Sequence, residues 1–80
     1  MSILTVAVVS PEKTVYEGTA QSVVAPAYDG EVGIMPGHAP LLTLLGEGTL
    51  RIGNDVKLQV KGGFLQVADN QVRVVTESAE

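Results

Sequence analysis

Read for hydrophobic and polar positions, the chain is a series of short apolar runs rich in Val, Ile, Leu and Thr, punctuated by Gly, Pro and Asn/Asp about every ten residues. That spacing is the rhythm of an all-β sandwich or barrel, and no segment sustains a helical period. The pattern predicts strands over residues 3–9, 20–25, 31–35, 41–45, 49–52, 56–60, 64–68 and 71–76, with a short extra one near Thr14 to Glu17.

Three hairpin registers follow from pairing arithmetic. A two-residue turn at Asp69-Asn70 sets Val67 opposite Val72 and Leu65 opposite Val74, with Gln66 and Arg73 on the other face. A three-residue turn at Gly53-Asn54-Asp55 pairs Ile52 with Val56 and Leu50 with Leu58, and puts Arg51 beside Lys57. A two-residue turn there would mix the faces. At Asp29-Gly30 a two-residue turn would oppose Ala27 to Val32 and Ala25 to Ile34, with turn residues that tolerate positive φ.

Two segments break the simple alternation. Leu41-Leu42-Thr43-Leu44-Leu45 is apolar on both strand faces, which means either burial between two layers or an outward face that awaits another protein. Met35-Pro36-Gly37-His38-Ala39-Pro40 carries two prolines in five residues, which removes backbone donors and gives a rigid, non-strand connection.

Composition narrows the function. Eighty residues are enough for one small core, and 45% hydrophobic against 18% charged residues describes a folding chain rather than a disordered one, so residues 1–80 are expected to form a single domain. There is no cysteine to staple it. A net charge of -4 without any basic cluster argues against nucleic acid as a partner, and the three scattered aromatics offer no stacking platform. The apolar opening from Met1 lacks a positive leader and is interrupted at Ser10-Pro11-Glu12, short of a membrane span, so a soluble protein is expected.

Chemistry is sparse. The one histidine, His38, sits in a loop with no nucleophile elbow anywhere, so neither a catalytic triad nor a metal site is expected, nor any cofactor. Asp29 and Glu31 around Gly30 read as a solvated hairpin tip rather than a pair of working carboxylates. Gly46-Glu47-Gly48 and Gly62-Gly63 lack the Lys-Ser/Thr of a phosphate loop. Lys57 and Lys61 raise the alternative of a lipoyl or biotinyl carrier domain, which this chain resembles in bulk. The carriers' modified lysine stands at a hairpin tip, however, whereas Lys57 follows Val56 inside a strand and the tips here hold Asn54-Asp55 and Asp69-Asn70.

Three motifs, taken in order, are more specific: Val8-Val9-Ser10-Pro11-Glu12, then Asp29-Gly30-Glu31-Val32-Gly33-Ile34-Met35-Pro36-Gly37-His38-Ala39-Pro40-Leu41-Leu42-Thr43, then Gly62-Gly63-Phe64-Leu65-Gln66-Val67. Together they resemble the N-terminal domain of the epsilon subunit of F-type ATP synthases, from Leu4 to Val75. The resemblance implies a flattened β-sandwich of about ten short, mostly antiparallel strands. It further implies a non-catalytic central-stalk rotor subunit between the gamma subunit and the c ring, helping couple ion flow to ATP synthesis. By position, Ser10, His38, Leu42 and Thr43 would meet gamma, and Asp29, Gly30 and Glu31 would face the c ring. The resemblance places the protein at the membrane only through the ring, on the cytoplasmic face of a bacterial inner membrane or its organelle equivalent. The family's C-terminal helix pair would begin just past Thr76-Glu77-Ser78-Ala79-Glu80, so these residues alone are expected neither to bind ATP nor to brake its hydrolysis.

Overall fold

In a computed structural model, which describes residues 3–80, the described residues form ten strands and no helix. Met1 and Ser2, where the apolar opening begins, lie outside the described residues. The strands are β1 (Leu4–Val9), β2 (Thr14–Ala20), β3 (Val23–Ala27), β4 (Gly30–Ile34), β5 (Leu41–Leu44), β6 (Glu47–Ile52), β7 (Val56–Lys61), β8 (Phe64–Ala68), β9 (Gln71–Val75) and β10 (Ser78–Ala79). They divide into two five-stranded sheets, ordered β2-β1-β9-β8-β5 and β10-β7-β6-β3-β4. All pairings are antiparallel except β1 with β9, which is parallel.

The period-2 alternation determines which side chains meet between the sheets. Leu4, Val6 and Val8 of β1, Leu65 and Val67 of β8, and Val72 and Val74 of β9 line one inner face. Val23, Ala25, Ile34, Leu50, Ile52 and Val60 line the other, and each of these thirteen is at most 2% exposed. Fully burying a side chain of the Val or Leu kind contributes about 1.5–3 kcal/mol. That is the main force holding the two sheets together in a chain with no cysteine to form a disulfide.

Two of the three expected registers are observed. Leu65 pairs with Val74 and Val67 with Val72 across a turn in which Asp69 and Asn70 have φ of 51° and 61°. Leu50 pairs with Leu58 and Ile52 with Val56 around Gly53, at φ 62°. The third differs: Ala25 opposes Val32 and Ala27 opposes Gly30, so the turn residues are Tyr28-Asp29 and the register is two residues tighter than expected. A two-residue slip leaves every side chain on the same face, so the alternation of apolar positions does not oppose it.

The other corrections concern strand limits. The expected strand over residues 20–25 is divided by a bend at Gln21: Ala20 closes β2 in one sheet and Val23 opens β3 in the other. The short strand expected near Thr14 is seven residues long. β10 adds a two-residue edge along β7 that the local pattern does not announce.

The strands define two ends of the sandwich. At one lie the Asp69-Asn70 turn and the proline loop, tied together by the Gly37 N–H donating to Asn70 Oδ1 at 2.7 Å. At the other lie the Ser10 turn, the Tyr28-Asp29 tip, and the crossings at Gly46 and Gly62-Gly63. There the Gly46 N–H donates to the Pro26 carbonyl at 2.8 Å, Gly62 N–H to Gly46 at 3.3 Å, and Leu45 N–H to Gly63 at 3.0 Å.

Candidate interaction surface

The outer face of the β2-β1-β9-β8-β5 sheet is built by the side chains that the alternation turns away from the core. Cross-strand register arranges them in rows. Leu44 opposes Phe64, Phe64 opposes Val75, and Val75 opposes Val9, so one row across four strands is entirely apolar. In the next row Leu42 opposes Gln66, followed by Arg73, Ala7 and Glu17. Glu17 and Arg73 flank the small Ala7 and border a trough of about 330 Å³.

Leu42 is 69% exposed, Leu44 61% and Phe64 37%. With Thr43 they line an open hollow of about 410 Å³. Of the two readings of the Leu41–Leu45 run, the outward one therefore describes Leu42 and Leu44, while Leu41 and Leu45 turn toward the core and are half-buried and buried. Leaving two adjacent leucines in water sacrifices burial energy that the same residues would gain against an apolar partner.

The residues singled out from sequence are distributed along the molecule rather than gathered. Ser10 follows β1 at the glycine end. Its N–H and Oγ–H both donate to the Lys13 carbonyl, at 2.9 and 3.2 Å, so its hydroxyl proton is engaged in its own turn around Pro11. His38 lies at the opposite end: its N–H donates to Met35 O at 3.1 Å, and Nδ1 is 2.6 Å from Ala39 O. Because a carbonyl oxygen only accepts, Nδ1 is the donor, and Nε2 is left for an outside partner. Six residues of β1 at about 3.3 Å each separate the two ends by roughly 20 Å.

Leu42 stands on the outer face between these ends. Thr43 belongs to the inward pleat with Leu41, opposite buried Leu65, and is half-buried. Asp29, Gly30 and Glu31 are exposed at the hairpin tip, at the same end as Ser10 and Leu44 and away from His38. Gly30, at φ 133°, is the first paired residue of β4. The tip is anchored by the Tyr28 N–H, which donates to the Leu44 carbonyl at 3.0 Å.

Sequence reasoning missed Leu44, Phe64, Val75 and Val9 as one surface. The Leu run and the Gly-Gly-Phe motif each carried a signal, but their adjacency exists only through the β5–β8 and β1–β9 pairings. Lys57 and Lys61 are exposed side chains within β7, not at a hairpin tip. Among the described residues no group of three or more His, Cys, Asp or Glu could hold a metal ion, and no helix is long and apolar enough to cross a membrane.

The fold is a two-sheet β-sandwich that leaves an apolar row partly open to solvent on one sheet, the kind of surface that marks interaction sites. The chain belongs to the family of the ATP synthase delta/epsilon chain β-sandwich domain, whose model matches residues 3–80. A relative from Synechococcus elongatus named ATP synthase epsilon chain is 45% identical over 80 residues, covering 96% of this chain. The chain spans 58% of that relative's length. The fold recurs in a chain of the Euglena gracilis mitochondrial ATP synthase, in a structure of OSCP, F1 and c-ring, with a TM-score of 0.89 at 20% identity, over 100% of this chain and 54% of that one. It recurs again in the central stalk/c-ring structure of the Tetrahymena thermophila mitochondrial enzyme, with a TM-score of 0.79 at 19% identity, over 96% of this chain and 65% of that one.

Proposed function

We propose that this chain is the β-sandwich part of a non-catalytic central-stalk subunit of an F-type ATP synthase, linking the gamma subunit to the c ring. The observation that carries the reading is the exposed apolar row at Leu44 and Phe64, with Leu42 beside it, in a member of this family. A rotor element must transmit torque without yielding. A close-packed sandwich with a proline-locked loop at one end and hydrogen-bonded crossings at the other suits that task.

In this reading gamma covers the outer face of the first sheet from Ser10 to His38, with Leu42 near its centre and Thr43 at the margin. The roughly 20 Å between Ser10 and His38 is the length such an interface would span. The Asp29-Gly30-Glu31 tip faces the c ring. Its carboxylates, fully solvated, would add about 0 to 1 kcal/mol each against basic ring residues, so gamma supplies most of the hold. The subunit then sits at the membrane through the ring, on the cytoplasmic face of a bacterial inner membrane or the equivalent organelle face. The name epsilon chain borne by the 45%-identical relative supports this reading, as do the central-stalk and c-ring assemblies in which the fold recurs.

Calorimetric titration of the chain with purified gamma from the same source tests it. Saturable one-to-one binding is expected. Leu44→Arg should weaken it about 10- to 100-fold, the equivalent of one buried leucine. No binding by the folded wild-type chain would refute the reading.

A further inference from the structure

The free edge of β5 has a backbone pattern that the side chains alone do not reveal. The Leu45 N–H donates to Gly63 O, and this fixes the phase of the β5–β8 ladder. Antiparallel ladders alternate bonded and non-bonded pairs, so Leu41 and Thr43 direct their backbone groups to Val67 and Leu65, while Leu42 and Leu44 direct theirs off the edge. The Tyr28 N–H reaching the Leu44 carbonyl from outside agrees with that phase.

Three groups remain: the N–H and C=O of Leu42 and the N–H of Leu44. Beyond the ladder, no described backbone or side-chain group bonds to them. The free stretch is bounded on both sides, because Pro40 has no N–H and Tyr28 occupies the Leu44 carbonyl. Resting on the reading that gamma covers this face, we propose that β5 takes up a short extended segment of the partner as a sixth strand of its sheet. The main-chain bonds go to Leu42 and Leu44, and apolar partner side chains at i and i+2 lie beside the two leucines on the outer face.

The opposite sheet also ends in an edge strand on its β4 side, but there the outward residues are Glu31 and Gly33. A charge and a glycine offer an added strand no apolar anchor and discourage edge pairing. Pro40 and Tyr28 confine the β5 edge to a segment of about three residues, which favours a specific partner over indefinite stacking of copies.

Residue-resolved amide exchange of the chain, alone and saturated with gamma, tests the proposal. The Leu42 and Leu44 amides are expected to exchange quickly in the free chain and at least about tenfold more slowly in the complex, as local opening becomes costly. The Leu41 and Thr43 amides, already bonded to β8, should change little, as should Gly33 on the other edge. Binding that Leu44→Arg weakens, but that leaves the Leu42 and Leu44 amides at their free rates, would overturn strand addition and keep gamma docking by side chains alone. Absence of any binding would overturn the gamma reading and this inference with it.

Discussion

Replacing glycine by alanine at three positions separates two costs that are usually confounded. At Gly33 a Cβ would meet nothing within 4 Å, and the backbone is not left-handed. At Gly37 a Cβ again meets nothing, but φ is +88°. At Gly63 φ is +99° and the Cβ would collide with the Val75 carbonyl oxygen and stand 2.8 Å from Thr76 Cα. Gly33→Ala should therefore leave stability unchanged or raise it by up to about 1 kcal/mol, through the entropy of the unfolded chain. Gly37→Ala should cost about 1–2 kcal/mol for the left-handed backbone alone.

Gly63→Ala carries that conformational cost and must also open the β7–β8 crossing by more than 1 Å to restore ordinary separation. This displaces the Leu45 N–H bond to Gly63 and the neighbouring Gly62 N–H bond to Gly46. At about 1 kcal/mol for each bond, the total is about 3–4 kcal/mol. For a chain of this length that lowers the melting temperature by roughly 12–30 °C. Urea unfolding followed by far-ultraviolet circular dichroism, with the slope held common to the three variants, reads the series directly. If Gly63→Ala falls within about 0.5 kcal/mol of Gly37→Ala, the steric argument is wrong.

Other perturbations follow from single contacts. Asn70→Gly keeps the left-handed turn but removes the side-chain acceptor of the Gly37 N–H, and should cost about 1 kcal/mol with faster amide exchange at Gly37. Thr76, 1% exposed, has its Oγ1 2.9 Å from Ser78 O and 3.2 Å from Lys61 O; Thr76→Val should cost about 1–2 kcal/mol in urea unfolding and loosen β10, seen as faster exchange at Glu80. In reconstituted ring complexes, Asp29→Asn with Glu31→Gln should weaken association by no more than about 30-fold, an effect that vanishes at about 1 M salt, where screening is nearly complete.

How much was legible in the sequence depended on whether a turn fixes the register locally. The β6–β7 and β8–β9 hairpins were readable because only one loop length keeps Leu50 with Leu58, or Leu65 with Val74, on one face. At β3–β4 the Asp-Gly pair looked like the two central turn residues, whereas Gly30 uses its positive φ as the first paired residue. β2 was underestimated because Gly18 and two polar positions interrupt its apolar pattern; the Tyr16 ring folds over Gly18, where a Cβ would stand 2.8 Å from the phenolic oxygen and push the ring tip aside. On the surface, Leu42 could be named from its own strand. Leu44 joins Phe64, Val75 and Val9 only through pairings that link distant parts of the chain, one of them parallel, and local periodicity carries no trace of those.

The parallel pairing of β1 with β9 also bears on how the protein is born. Thr5 pairs with Gln71, a separation of 71 − 5 = 66 residues, so the second strand to be laid beside β1 is the ninth of the ten described strands to be made. Until then the ribosome has released Leu4, Val6 and Val8 with their sheet unfinished. At typical synthesis rates of about 5–20 residues per second, that interval lasts roughly 3 to 13 s. Non-local closure of this kind also slows the search once the chain is free. During that interval the inward side chains of β1 lack the β9 neighbour that covers them in the finished sandwich, and are open to non-native contacts.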